Sequence, residues 1–300
     1  SFSMKQAISE GYLTKYYYYP FLTSLTYDEL ENYKNISKQL LKHFDFKSGR
    51  YKESAEMLLI KRKRIIHQAK NKKGVFKKIL DKINDHENGK LSHTLVYVPE
   101  GYDHDYSNEQ AYTLNIEDER IITEYSRIIA ESGFTTYQIL SGTKQRESIL
   151  ERFDSGKIQV LTSMKTLDEG VDVPSSKHAV FCSSTGNPRQ FIQRRGRILR
   201  KAEGKKFAYV YDIVVAPNSN MWEGEDYKNR ELLEKMERNI FRSEIYRIAN
   251  FLYACENRAD ISLGQNEELN KIVRLSEKYE IDLNGMILEL IDQDNNISTQ

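Results

Sequence analysis

Cysteine is scarce in this 300-residue chain. Cys182 and Cys255 stand far apart, which gives neither a metal-ligand pattern nor a disulfide framework. Cys182 sits in the apolar run HAVFCSS and reads as a small core residue, and a reducing cytoplasm fits the pair. Long hydrophobic runs are missing as well. No stretch approaches the roughly 18 apolar residues of a membrane span, and the N-terminus lacks the apolar core of a signal peptide. No membrane partner is expected. Net charge is almost absent, at +1, and neither an internal repeat nor a low-complexity segment is found. The six histidines, at 43, 67, 86, 93, 104 and 178, show no metal spacing, so no metal site is expected. The chain opens abruptly on SFSM and reads as a segment of something longer.

What is present is a 39% hydrophobic content, enough for one large domain, or one domain with helical attachments. The small net charge hides an uneven distribution. Residues 61–90 hold eleven Lys/Arg against three acids, whereas 250–300 hold ten acids against four bases. A basic segment in a near-neutral chain suggests a directed polyanion contact. Lys61, Arg62, Lys63 and Arg64 are its candidate residues, and a solvated charged helix is the alternative.

The hydrophobic period divides the chain. Residues 1–25 hold a short helix (Met4 to Ser9), a Gly11 stop and the run YYYYP. Its alternate tyrosines are expected to pack one face of an edge strand, a stacking platform for bases being the alternative. Residues 26–90 turn helical, beginning with a capping box at Thr26 and Glu29. Residues 91–216 alternate short apolar strands with helices, which implies an α/β fold with a parallel sheet covered on both faces. Gly133 and Gly156 are expected to stop two of those helices. Residues 217–300 read as a C-terminal helical layer, against which Trp222 is expected to pack.

The segment QFIQRRGRILR, residues 190–200, puts four arginines into seven residues among large apolar side chains. On a wheel of about 100° per residue, Gln193, Gly196, Arg197 and Arg200 share one stripe. Phe191, Ile192, Ile198 and Leu199 form the opposite, sheet-facing stripe, with Arg194 at the margin. Planar guanidinium forks beside a glycine suit phosphate oxygens. Arg195 falls on the apolar side, where it needs a buried carboxylate partner or must snorkel.

QRRGRILR resembles motif VI (Q-x-x-G-R-x-x-R) of superfamily 2 helicases and translocases. LTSMKTLDEGVDVP (161–174) resembles their motif V, TLVYVPEG their motif IV, and LSGTKQRESILERFDSGKIQVL the segment between IV and V. The flanks, FSMKQAISEGYL through LTYDELENY and EKMERNIFRSEIYRIANF, are similar to the restriction-enzyme and repair-translocase branch. The resemblance implies a RecA-like second motor domain, with ATP and Mg2+ clamped between it and a first RecA-like domain. It makes Arg197 and Arg200 arginine fingers and gives Gln193 the task of orienting nucleotide or water. Gly196, Gly170 and Asp172 would line the nucleotide cleft. Gly142, Thr143, Thr162 and Ser163 would approach a nucleic-acid backbone. One position departs from the pattern: Met164 stands eight residues before Asp172, where the family carries Thr or Ser, so Ser163 substitutes or the contact is lost.

A phosphate-cradling loop with Lys-Ser/Thr and a Mg2+-binding Asp-Glu pair are absent. GKL (89–91) and GKI (156–158) lack the hydroxyl residue, and YDEL (27–30) and EDER (117–120) follow no buried strand. The expected activity is therefore half of a DNA motor, with little or no ATPase alone. The alternatives are half of an RNA helicase, or a non-catalytic nucleic-acid-binding or scaffold module that keeps the fold.

Overall fold

The computed structural model describes residues 3–45, 48, 50–100, 116–140, 142–164, 173–183, 188–218, 220–258 and 266–298. Eight strands and ten helices are assigned among them. The strands are β1 (Lys15–Thr23), β2 (Phe44–Asp45), β3 (Arg50–Tyr51), β4 (Thr94–Tyr97), β5 (Thr136–Ile139), β6 (Val160–Ser163), β7 (His178–Phe181) and β8 (Phe207–Val215). The helices are α1 (Met4–Ser9), α2 (Tyr27–Leu41), α3 (Glu56–His67), α4 (Lys72–His86) and α5 (Ile116–Glu131). They continue with α6 (Arg146–Asp154), α7 (Pro188–Ile198), α8 (Tyr227–Leu252), α9 (Glu267–Lys278) and α10 (Leu283–Ser298).

Six strands form one sheet in the order β1-β8-β7-β4-β6-β5, and every neighbouring pair runs parallel. Strands β4, β6 and β7 are buried at every residue, which is why they read as continuous apolar runs rather than alternating ones. One face packs against α6, α7, α8, α9 and α10 through Phe153, Phe191, Ile245, Ile272 and Ile287. The other packs against α4 and α5 through Phe76, Ile79, Leu80, Ile122 and Ile129. The expected α/β architecture with both faces covered is present. Helix starts follow the local chemistry: Thr26 and Glu29 complete a reciprocal capping box at α2. Gly133 and Gly156 follow α5 and α6 at φ +87° and +73°, the left-handed conformation that glycine enters most readily.

Two segments reach across the divisions drawn from periodicity. Helix α4 lies within the 26–90 block, yet its apolar stripe forms part of the core beneath β4, β6, β7 and β8. Strand β1 lies within 1–25, yet it pairs along its whole length with β8. Tyr16 and Tyr18 are fully buried, while Tyr17 and Tyr19 stack on Tyr209 and Tyr211 of β8. These are cross-strand packing pairs. Strands β2 and β3 pair antiparallel as a separate two-stranded sheet.

As the edge strand, β1 would expose a row of backbone groups, which is an aggregation liability. The C-terminal chain covers them. Glu256 N donates to the Tyr16 carbonyl at 2.8 Å. Asn257 accepts from Tyr18 N at 3.0 Å and donates to Tyr18 O at 2.9 Å. Glu268 accepts from Leu22 N at 3.2 Å. Pro20, between them on the same outward side, has no N–H to satisfy.

Beneath this edge lies a buried ionic group. Asp212 of β8 accepts from Tyr18 Oη at 2.9 Å and from Arg247 Nε at 3.2 Å. Arg247 also pairs with Glu244 at 2.8 Å. The group holds α8 to the sheet in one rotational setting.

The α2–α3–α8 attachment packs less tightly. Cavities of about 280 and 480 Å3 lie along α8, the first lined by Tyr33, Val215, Met221 and Glu237, the second by Phe44, Arg62 and Met236. Trp222 is buried there, as expected, and its Nε1 donates to Glu237 at 2.9 Å. Burial pushes the Glu237 carboxyl up to about 8 from 4.5.

Two outcomes follow. A carboxyl raised on folding contributes stability that is fully present below pH 4.5 and is lost as pH rises through about 8. Glu237→Gln keeps an acceptor for Trp222, so it should raise Tm at pH 8 and change it little at pH 4.5, read by fluorescence of the single tryptophan. Because α4 belongs to the sheet core, Ile79→Ala should lower unfolding free energy by about 2–5 kcal/mol in one cooperative transition. A denaturant melt showing a separate early transition for α4 would refute that placement.

Candidate functional site

Parallel sheets present their functional loops at the carboxyl ends of the strands. Here that edge is made by Tyr97, Ser163, Phe181 and the residues after them, and α7 starts from it. Helix α7 carries two guanidiniums into the protein and displays others at its surface. Arg194 is 1% exposed. It donates to Ser183 Oγ at 3.1 Å and to the Met164 carbonyl at 3.3 Å, and lies 4.7 Å above the Tyr97 ring. One side chain thereby ties α7 to the ends of β4, β6 and β7. The sequence placed Arg194 at the margin of the outward stripe; the three anchors draw it inside.

Arg195 is 2% exposed, and neither a carboxylate nor snorkelling accommodates it. Its Nη1 donates to the Asn250 carbonyl, in the last turn of α8, where the helix dipole is negative. The Phe251 and Tyr253 rings lie 5.7 and 5.4 Å from its guanidinium carbon, within cation–π range. Sequence periodicity could not supply these partners, because they come from a helix some fifty residues further along the chain. Ile192, assigned to the sheet-facing stripe, is 40% exposed. It lies at the limit of that stripe, and Phe191, Ile198 and Leu199 fill the contact without it.

The outward stripe keeps the other predicted residues together. Gln193 and Arg200 are exposed, and Gly196 and Arg197 are half-buried. A Cβ added at Gly196 would meet nothing within 4 Å. Glycine in a helix interior costs about 1 kcal/mol relative to alanine, and nothing inside the described protein requires it there.

The C-terminal end of α7 is held from two directions. Lys205 Nζ donates to Ile198 O at 2.5 Å, to Arg200 O at 3.0 Å and to Pro174 O at 3.1 Å. It caps the helix and joins it to the end of the motif V segment. Burial pushes its ammonium down to about 8. From the N-terminal side, Thr14 N donates to Leu199 O at 2.7 Å, and Leu13 bridges to Arg200.

The remaining site candidates separate. Gly170 and Asp172 lie outside the described residues. Gly142 is exposed, with open space where a Cβ would stand. Thr143 is half-buried, and its hydroxyl accepts from Leu140 N at 2.8 Å, closing its own loop. Thr162 and Ser163 are both fully buried. The Thr162 hydroxyl lies between Ser126 Oγ at 3.2 Å and the Tyr137 carbonyl at 3.4 Å. Thr162 lies inside a strand flanked on both sides, and Ser163 is the last residue of β6, at the carboxyl edge of the sheet. Met164 is fully buried among the residues of the α4–α5 face, and its carbonyl serves Arg194.

The basic segment divides too. Lys61 is exposed, Lys63 and Arg64 are half-buried, and Arg62 is 6% exposed. Arg62 turns inward beside Glu237 and Tyr33, where burial raises both acids and its charge offsets part of that rise. Arg64, Lys70, Lys73 and Arg120 line a cavity of about 240 Å3 beside Pro99, at the carboxyl end of β4, together with Glu29 and Glu124. Lys72 is fully buried, donating to His67 O at 3.0 Å and to Cys182 O at 3.1 Å. Burial pushes its ammonium down to about 8. Lys72, Ser183 and Lys205 position this edge and were missed in the sequence. Only the predicted strand boundaries, with a hydroxyl or a cation just beyond them, hinted at them.

Residues 106–202 match the helicase conserved C-terminal domain family. The DNA 3'-5' translocase XPB2 of Sulfurisphaera tokodaii is 44% identical over 70 residues, which are 23% of this chain and 16% of that protein. A DNA 3'-5' helicase XPB of Mycobacterium tuberculosis is 33% identical over 108 residues, 35% of this chain and 19% of that one. A putative ATP-dependent RNA helicase of Methanocaldococcus jannaschii is 35% identical over 94 residues, 30% of this chain and 12% of that one. The chain thus spans less than a fifth of the length of each of these relatives. Among the described residues no helix is long and apolar enough to cross a membrane. Residues 106–202 thus match a helicase conserved C-terminal domain, and they include β5, β6 and β7 of the parallel sheet and the α7 that carries the Q-x-x-G-R-x-x-R pattern.

Proposed function

We propose that this chain is the second motor domain of an ATP-dependent DNA helicase or translocase, of the restriction-enzyme and repair-translocase branch. In this reading it completes an ATP site whose phosphates and Mg2+ are held mainly by a first RecA-like domain of the same full-length protein. The observation that carries it is the sorting of α7. Arg194 and Arg195 are consumed by the fold, while Gln193, Gly196, Arg197 and Arg200 are left on one outward stripe. ATP would supply the phosphoanhydride bond whose cleavage drives movement. Arg197 and Arg200 act as arginine fingers, setting planar positive charge where the transferring phosphoryl group gathers negative charge. Gln193 orients nucleotide or water. The open space at Gly196 lets a phosphate approach the helix backbone. Gly170 and Asp172 complete the cleft.

The motor unit in this proposal runs over 72–216 together with strand 15–23, and residues 26–71 and 217–300 are helical attachments. The nucleic-acid track uses Gly142, Thr143, Lys61, Lys63 and Arg64, with the basic cavity beside Pro99 between them. Arg62 and Thr162 are turned into the fold, and Ser163, at the carboxyl end of β6, keeps its place at the edge of the track. DNA is favoured as substrate because the flanking segments are similar to the DNA-translocating branch. RNA is the second reading, on the likeness to the putative RNA helicase.

In a protein carrying both motor domains, Arg197→Ala and Arg200→Ala should each lower kcat for ATP hydrolysis by about 10³-fold. A near wild-type rate in either would overturn the finger assignment. The segment alone should show little or no ATPase. For nucleic-acid binding, Lys61→Ala and Lys63→Ala should each reduce the slope of log K against log salt by about one. Arg62→Ala should lower Tm and leave the slope unchanged. Fluorescence anisotropy at several salt concentrations reads both, with equimolar DNA and RNA duplexes separating the two substrate readings.

A further inference from the structure

The amino-terminal end of the sheet, opposite the α7 edge, gathers side chains that the motor reading does not use. Helix α4 ends at His86, Glu87 is its C-cap, and His178 opens β7. Among the described residues these three make a group of potential ligands whose donor atoms all lie within 4.8 Å of one another. His86 Nδ1 is 2.9 Å and His178 Nε2 3.1 Å from the same carboxylate oxygen, Glu87 Oε1. The spacing of 86, 87 and 178 in sequence gave no metal signal, because α4 and β7 meet only in the folded sheet.

We propose that His86, Glu87 and His178 form a Zn2+ site that clamps the end of α4 to the start of β7. Two imidazole nitrogens with one carboxylate oxygen are a donor set that suits Zn2+ and leaves a fourth position for water; Mg2+ and Ca2+ want oxygen shells. Zinc lies about 2.0–2.2 Å from such donors, which in tetrahedral geometry sets them about 3.3 Å apart. The two histidine-to-carboxylate distances already come close to that spacing.

The surroundings hold the rings in place. His178 is fully buried, and its other nitrogen, Nδ1, lies 3.5 Å from Tyr211 Oη, at the limit of hydrogen-bond reach. The Tyr209 ring stacks on His178 at 5.1 Å and meets His86 edge-on at 4.6 Å.

Lys177 is the competing cation. Its Nζ lies 2.6 Å from Glu87 Oε1 and 2.7 Å from Oε2. A carboxylate has about four lone-pair sites, and both histidines address Oε1. The ion therefore takes the Oε1 side, and Lys177 shifts to Oε2 as an outer-shell donor. Its side chain, 37% exposed, has the freedom to do so.

The test uses the whole chain, stripped with EDTA and titrated with Zn2+ by calorimetry, with Co2+ as a visible-absorption probe. One equivalent of Zn2+ should bind and raise Tm, Co2+ should give the absorption of a four-coordinate site, and Mg2+ should do neither. His86→Ala should weaken Zn2+ binding at least tenfold while circular dichroism stays unchanged, because that side chain is 44% exposed. Glu87→Gln should weaken it similarly. Lys177→Ala should bind Zn2+ more tightly than wild type. A folded wild-type chain that binds neither Zn2+ nor Co2+, or a His86→Ala protein with undiminished affinity, would overturn the site and leave an ion-paired network. If Lys177→Ala lowers Tm with no gain in Zn2+ affinity, the shared carboxylate is wrong.

Discussion

Arg195 donating to the carbonyl of Asn250 is the contact on which the arrangement of the functional edge depends. A guanidinium brought out of water costs several kcal/mol unless its donors find partners. Here Nη1 meets the carbonyl end of α8 and two aromatic rings flank the guanidinium, while Nε has no hydrogen-bond partner, and these contacts set how α7 seats against α8. Arg194 reinforces it from the other side with Ser183, the Met164 carbonyl and the Tyr97 ring. Given that seating, 100° per residue leaves no freedom over which side chains face outward. The outward stripe is the consequence of two arginines being buried, not an independent feature.

The same setting explains why so much of the chain outside the strand–helix alternation matters to the site. Helix α8 must hold its own position before its C-terminal carbonyls can receive Arg195, and the Asp212–Arg247–Glu244 group with Tyr18 holds it. Tyr18 belongs to β1, whose outer edge is closed by Glu256, Asn257 and Glu268. Residues 13 and 14, leading into β1, bind the end of α7 directly. Sequence segments nearly two hundred residues apart therefore position one helix. Breaking a buried ionic contact by removing one partner is costly, so perturbing Asp212 reaches the α7 edge through α8.

Packing quality differs between the sheet and its attachment. Both sheet faces are filled by fully buried aliphatic and aromatic side chains, whereas the α2–α3–α8 contact keeps cavities and encloses Arg62 and Glu237. Unfilled space forfeits dispersion contacts along its walls. The attachment also carries the exposed lysines at 61 and 70.

Much of the fold was legible in the residues. Short apolar runs bounded by Gly133 and Gly156 announced buried parallel strands and helix ends, and Thr26 with Glu29 announced α2 through a purely local hydrogen-bond pattern. The Gln193–Gly196–Arg197–Arg200 stripe was legible for the same reason: helical periodicity is a local property. The fate of each cation was not. Lys72 and Arg62 look like their exposed neighbours Lys70 and Lys61 in sequence, and only packing against β7 and α8 buries them. Thr162 carries a hydroxyl of the kind a backbone contact wants, and the position of β6 between two strands pairs it with Ser126 and the Tyr137 carbonyl. His86 and His178 meet because α4 lies across the end of β7. By itself the sequence determined the strand–helix order, the capping and turn sites, and which residues share a helix face, since these depend on neighbours a few positions away. Only the tertiary structure decided which charges are buried and which are displayed. The desolvation cost and the partners that offset it come from distant segments.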